Sequence, residues 1–90
     1  MFTDDFEHSI MSGLSPVAIH HIFGKSERKL SEKYGFLIPL TPYEHNMGGQ
    51  KCIHQDKNFD LYWKRKAQEY YEEHYGTRDA FRKEFGKSYL

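Results

Sequence analysis

The last third of the chain admits one kind of regular structure, and that limits what the rest can be. Phe59, Trp63, Ala67 and Tyr70 recur at helical spacing, with Lys64, Arg65, Lys66, Glu69, Glu72 and Glu73 filling the positions between. The pattern predicts a helix of about four turns with an aromatic seam, started by Asp60 as its cap and ended by a left-handed Gly76. Thr77 then caps a second, shorter helix, with Asp79 in its first turn, Phe81 and Phe85 one turn apart, and Gly86 as terminator. Upstream, the apolar runs shrink and are bounded by Pro and Gly. Pro16-Val17-Ala18-Ile19 and Phe36-Leu37-Ile38-Pro39-Leu40 read as two short strands. Ser26 to Tyr34 reads as one or two helical turns ending at Gly35, or as a loop. Thr41 to Lys51, with Pro42, Asn46, Gly48 and Gly49, has loop composition. The expectation is an α+β fold: two strands and their loops, then two C-terminal helices.

With 90 residues there is room for one core, so residues 1–90 are expected to form a single domain. It divides into an acidic lead-in over 1–15, strands and loops over 16–58, and helices over 59–90. Lys+Arg and Asp+Glu both number 13, which excludes a strongly basic nucleic-acid tail or an acidic mimic spread along the whole chain. The neutrality hides a gradient. Asp4, Asp5 and Glu7 have no Lys or Arg among residues 1–19 to offset them, whereas Lys25, Arg28, Lys29 and Lys33 cluster in the middle, interrupted by Glu27 and Glu32. Cys52 is the single cysteine, so neither a disulfide framework nor a cysteine-based zinc ribbon can form. Met1 to Glu7 lacks the long apolar run of a signal peptide, and no stretch approaches the ~18 apolar residues of a membrane span. A cytoplasmic location and no membrane partner are expected.

Six histidines are the feature that composition leaves over. His20 and His21 stand at the end of the first strand, His45 after the second, and His54 after the glycine loop, just ahead of the long helix. Neutral imidazole is the commonest protein ligand for borderline divalent ions, so two strands and a helix delivering imidazoles to one place suit a metal site. Adjacent residues of a strand point to opposite sides, so His20 and His21 must differ in role if they share one. His8 and His74 suit a surface and a packing position respectively. For the other four, spacing alone leaves ligation and ordinary roles both open, because no strict H-x-x-x-H or C-x-x-C motif is present.

Ala18-Ile19-His20-His21-Ile22-Phe23-Gly24, then Leu40-Thr41-Pro42-Tyr43-Glu44-His45-Asn46, then Ile53-His54, resembles the HNH (ββα-metal) nucleases, in particular their small phage-encoded members. The similarity runs from about Ser12 to the C-terminus and includes the tail from Ala80 to Leu90. The resemblance implies a small ββα-metal core, one divalent metal (Mg, Mn, Zn or Ni), and a metal-dependent DNA endonuclease or nickase that hydrolyses phosphodiester bonds. His20, His45 and His54 map to metal ligands and His21 to the general base. Lys25, Arg28 and Lys29 are the candidates for contacts to DNA phosphates, a role that needs charge but no base reading.

The chain departs from the family pattern in two places. Where many relatives carry two C-x-x-C knuckles for a structural zinc, the matching positions are Ser12, Ser15, Thr41 and Glu44. Hydroxyls are poor zinc ligands, so no second metal is expected. The asparagine that usually opens the second strand and orders the loop behind the base is Phe36. Two other readings stand beside the nuclease. One is an interaction protein on the same scaffold that inhibits a host or defence protein, with Tyr62, Tyr70, Tyr71 and Tyr75 as interface anchors. The other is a structural zinc site made by the four histidines. A homodimer is compatible with all three.

Overall fold

A computed structural model of the chain describes residues 4–47, 53 and 55–90. Among them are two antiparallel strands, β1 (Ala18–His21) and β2 (Leu37–Leu40), and three helices. The helices are α1 (Arg28–Tyr34) between the strands, α2 (Lys57–His74) and α3 (Arg78–Phe85). This is an α+β arrangement. Among the described residues no helix is long and apolar enough to cross a membrane.

The first strand lies two residues later than its apolar run suggests. Pro16 has no N–H to give a ladder, and pairing begins at Ala18, opposite Leu40. The register then sets Ile19 against Pro39, His20 against Ile38 and His21 against Leu37. Both histidines are therefore strand residues, and their ring positions are set by the pleat.

The end of β1 is held in place by one buried hydroxyl. Ser31, fully buried in α1, donates to the Phe23 carbonyl at 2.7 Å and accepts from the Phe23 N–H at 2.9 Å. Two backbone groups just past β1 are thus satisfied by a single side chain, and α1 is pinned against the strand that precedes it. Phe36 N–H donates back to the Ser31 carbonyl, and Gly35 takes the left-handed φ of 72° that ends the helix. The choice between helix and loop for this segment falls to a helix, preceded by a short 3-10 turn at Lys25–Glu27.

Phe36 is completely buried, as are Ile38 and Leu40 beyond it. Together with Ile22 and Phe23 they form one wall of the core, which Trp63, Ala67 and Tyr71 of α2 and Phe81 and Phe85 of α3 close. Phe85 sits 4.4 Å from Phe81 and 4.6 Å from Phe23, centroid to centroid, so the aromatic seams of both helices meet the end of β1. The three helices also share a polar hub, where the hydroxyls of Tyr34 and Tyr71 donate to Glu84 at 2.6 to 2.7 Å.

The helix ends differ from the sequence expectation in two details. Asp56, not Asp60, caps α2, accepting from the N–H groups of Asn58 and Phe59. The polar run Asp56-Lys57-Asn58 hides the first turn from a reading of apolar periodicity. Gly76 is not left-handed; among the described glycines φ is positive at Gly13, Gly35 and Gly86. Gly76 instead lets the chain pass the Tyr71 ring, which a Cβ would meet at 3.3 Å. Thr77 and Gly86 cap and end α3 as expected.

After α3 the tail folds back on α2 through a buried amide. Gln68 donates to Ser88 Oγ at 2.9 Å and to Glu72 at 3.0 Å, and accepts from the Tyr89 N–H at 2.7 Å. Arg65 adds a bond to the Tyr89 carbonyl. These bonds set Tyr89 beside the end of β1.

Replacing Ser31 with Ala should strand a buried N–H and a buried carbonyl at Phe23. Urea unfolding is expected to show a loss of about 2–4 kcal/mol, above that of an exposed Ser→Ala change such as Ser26→Ala.

Candidate functional site

The pleat of β1 separates the paired histidines as strand geometry demands. His20 is buried, 7% exposed, whereas the His21 side chain reaches partly into solvent. His45 arrives from the other side of the sheet's end. Directly after β2 the chain makes a single π-type turn, Tyr43–Met47, in a segment whose composition suggests only a loop. The His45 N–H donates to the Thr41 carbonyl at 2.9 Å. The outcome is an edge-to-face pair, with the His20 and His45 ring centroids 5.2 Å apart at 67°.

That separation can be set against what a shared ion needs. With metal–nitrogen bonds of about 2.0–2.1 Å and a near-tetrahedral angle, two imidazoles on one ion put their centroids about 5 Å apart. The pair fits. Among the described residues no group of three or more His, Cys, Asp or Glu is placed to hold a metal ion. His54, the third expected ligand, lies outside the described residues. His8 and His74 stay apart, His8 exposed beside Asp5 and His74 tilted against the Tyr70 ring at 4.3 Å.

All three histidines of the described site border one cleft of about 680 Å³. The turn after β1 supplies Lys25, and α1 supplies Arg28. Lys25 has a φ of 54°, a left-handed conformation that costs a residue with a Cβ about 1–2 kcal/mol. Lys29 is exposed on α1 and is not among the lining residues. The opposite wall comes from α2 and the tail: Asp60, Lys64 and Tyr89. Lys64 bonds Asp60 at 2.9 Å and lies 5.6 Å from the centre of the Tyr89 ring. Burial raises the Tyr89 pKa, although Lys64 opposes it, so the ring enters the wall as a neutral phenol.

Sequence reasoning missed these wall residues. Asp60 and Lys64 stand at i and i+4, the spacing of a helical ion pair, but attention to the aromatic seam hides the opposite face. It also missed Glu32. Counted from sequence as a charge interrupting a basic cluster, Glu32 bonds His21, with Oε1 at 3.0 Å from Nε2. The Arg28 Nε lies 3.9 Å from the same oxygen.

Glu44 and Thr41 form a hydrogen-bonded node with Ser9. Glu44 Oε1 accepts from the Ser9 hydroxyl at 2.5 Å and from the Thr41 N–H at 2.9 Å, while the Glu44 N–H donates to Thr41 Oγ1 at 3.2 Å. Ser9 Oγ in turn accepts from the N–H groups of Met11 and Ser12. The partner that matters most is thus Ser9, not Ser12 or Ser15. The node ties the turn over residues 9–14 to the start of the π turn that carries His45. Just beyond, the Ile53 N–H donates to the Glu44 carbonyl at 2.7 Å.

Compared with protein-family models, with curated proteins and with solved structures, the chain matches none of them significantly.

Burial alone would raise the Glu44 pKa, but the bonds from Ser9, Thr41 and Ser12 outweigh it and hold the carboxyl below its ordinary value of 4.5. Glu84 is lowered as well, chiefly by the Tyr34 hydroxyl. A lowered folded-state pKa adds stability that is complete above the unfolded value and is lost as pH falls through the folded one. Glu44→Gln is therefore expected to cost about 1–3 kcal/mol at neutral pH. In urea unfolding followed against pH, the gap to the unaltered protein should close below 4.5.

Proposed function

We propose that the protein is a metal-dependent endonuclease or nickase of the HNH type, with a small ββα-metal core, that hydrolyses phosphodiester bonds in DNA. The observation that carries the reading is the placing of His20 and His45 at the separation of two ligands of one ion, with His21 beside them on the same cleft. In this reading His20 and His45 hold a divalent metal, with His54 as the third ligand. When bound, the metal supplies positive charge beside the scissile phosphate and the leaving oxygen.

The remaining chemistry belongs to the chain. His21 takes a proton from the attacking water as the water oxygen forms its bond to phosphorus and the P–O bond to the leaving oxygen breaks. An imidazole suits the task because its neutral form carries a lone pair on one ring nitrogen while the other donates a hydrogen bond. Lys25 and Arg28 on one wall and Lys64 on the other supply cations for the flanking phosphates. Such contacts position the strand without reading sequence, and Glu27 and Asp60, which share the lining, keep the cleft's excess of positive charge small.

The interaction-protein reading draws on the tyrosines of α2 and its end, and the fold divides these. Tyr71 belongs to the core and Tyr70 packs against it, while Tyr62 and Tyr75 stay about half exposed. The nuclease reading uses more of what is gathered in one place.

Plasmid nicking with Mg²⁺ or Mn²⁺ tests it. The unaltered protein should cleave, and His21→Ala should reduce the rate by about 10²–10⁴-fold with its fold intact. Undiminished cleavage by His21→Ala would remove His21 as the base. No cleavage by either protein would remove the activity.

A further inference from the structure

We propose that Glu32 is the positioning residue for His21, acting as the acceptor that fixes which ring nitrogen carries the proton. The contact is 3.0 Å between Nε2 of His21 and Oε1 of Glu32. A carboxylate at neutral pH only accepts, so Nε2 must carry the hydrogen. Neutral imidazole has one N–H, which leaves Nδ1 as the nitrogen with the lone pair. Glu32 thus decides the tautomer of His21 and holds its ring plane, as a carboxylate does for the histidine in nucleophile–base–carboxylate arrangements.

The placement of Glu32 is not left to a mobile surface chain. It comes directly after Ser31, whose hydroxyl is bonded in both directions to the backbone of Phe23, two residues beyond His21. The buried staple thereby fixes the distance between the helix bearing the acceptor and the strand bearing the imidazole. The Glu32 side chain is itself 57% exposed, so its replacement leaves the core intact.

Two measurements on the full chain separate this assignment from the nuclease reading on which its kinetic half rests. The first is ¹H–¹⁵N NMR of histidine-labelled protein, about two pH units above the ordinary imidazole value of ~6.5. A slowly exchanging, downfield proton on Nε2 of His21 is expected. It should persist in Glu32→Gln, whose amide oxygen still accepts, and vanish in Glu32→Ala. The second is plasmid nicking, where Glu32→Ala should lower kcat by about 10–100-fold with KM unchanged, and Glu32→Gln should recover most of it. Both variants remove the same charge, so a difference between them does not come from charge.

A proton found on Nδ1, or an Nε2 proton that survives in Glu32→Ala, overturns the assignment. So does a Glu32→Gln variant that falls as far as Glu32→Ala. If the unaltered protein does not cleave, the nuclease reading fails, and the NMR result alone decides whether Glu32 fixes the ring.

Discussion

The reciprocal bond between Ser31 and the backbone of Phe23 is small, yet much of the architecture rests on it. A strand of four residues has few ladder bonds, and its end is where a short sheet frays. Here the end of β1 must hold a buried aromatic, Phe23, against Phe85, and it must hold two histidines in fixed orientation. One hydroxyl with a donor and an acceptor role satisfies both backbone groups of Phe23 without water. It also sets α1 at the distance where its next residue, Glu32, meets His21. Core packing and site geometry share this one anchor.

The second anchor lies on the far side of the cleft. His45 rides on a π-type turn, a backbone form that regular helices seldom extend and that is frequent at functional sites. The turn is secured from beneath by Glu44, whose carboxylate gathers Ser9 and the Thr41 backbone. The node ties the turn over residues 9–14 to the segment that carries His45, using hydroxyl and backbone N–H donors. The third wall depends on Gln68, which binds the tail to α2 and sets Tyr89 opposite the histidines. Three separate hydrogen-bonded anchors therefore hold three walls around one opening, and the aromatic core supplies the common floor.

How much of this could be read from the residues depends on the range of the interaction. The helices of the last third were legible because apolar periodicity and caps are local: Phe81, Phe85, Thr77 and Gly86 stand as their spacing implies. The histidine pair was legible for a similar reason, since strand alternation alone separates His20 from His21. The displaced start of β1 and the Asp56 cap were not, because Pro16 and the polar run before Phe59 disturb the apolar pattern at element ends. Gly76 was misread because its constraint is a contact with the Tyr71 ring, not a φ angle. Ser31, Glu32, Ser9 and Gln68 were out of reach for a deeper cause. Each acts across separations of eight to 35 residues along the chain, and a polar residue on a helix shows no local sign of which distant group it will meet. Glu32 looked like a charge in a solvated face until the fold brought it to an imidazole.

The proposed function turns on whether the His20–His45 pair holds an ion while His21 keeps its own partner. Anomalous diffraction from crystals soaked in Mn²⁺ or Zn²⁺, recorded at the metal's absorption edge, addresses this directly. A peak about 2.0–2.2 Å from nitrogens of both His20 and His45, with His21 still bonded to Glu32, is what the proposed site requires. A metal that draws in His21 as a ligand would turn the site into a structural one. A metal held at Glu44 with nothing between His20 and His45 would remove it.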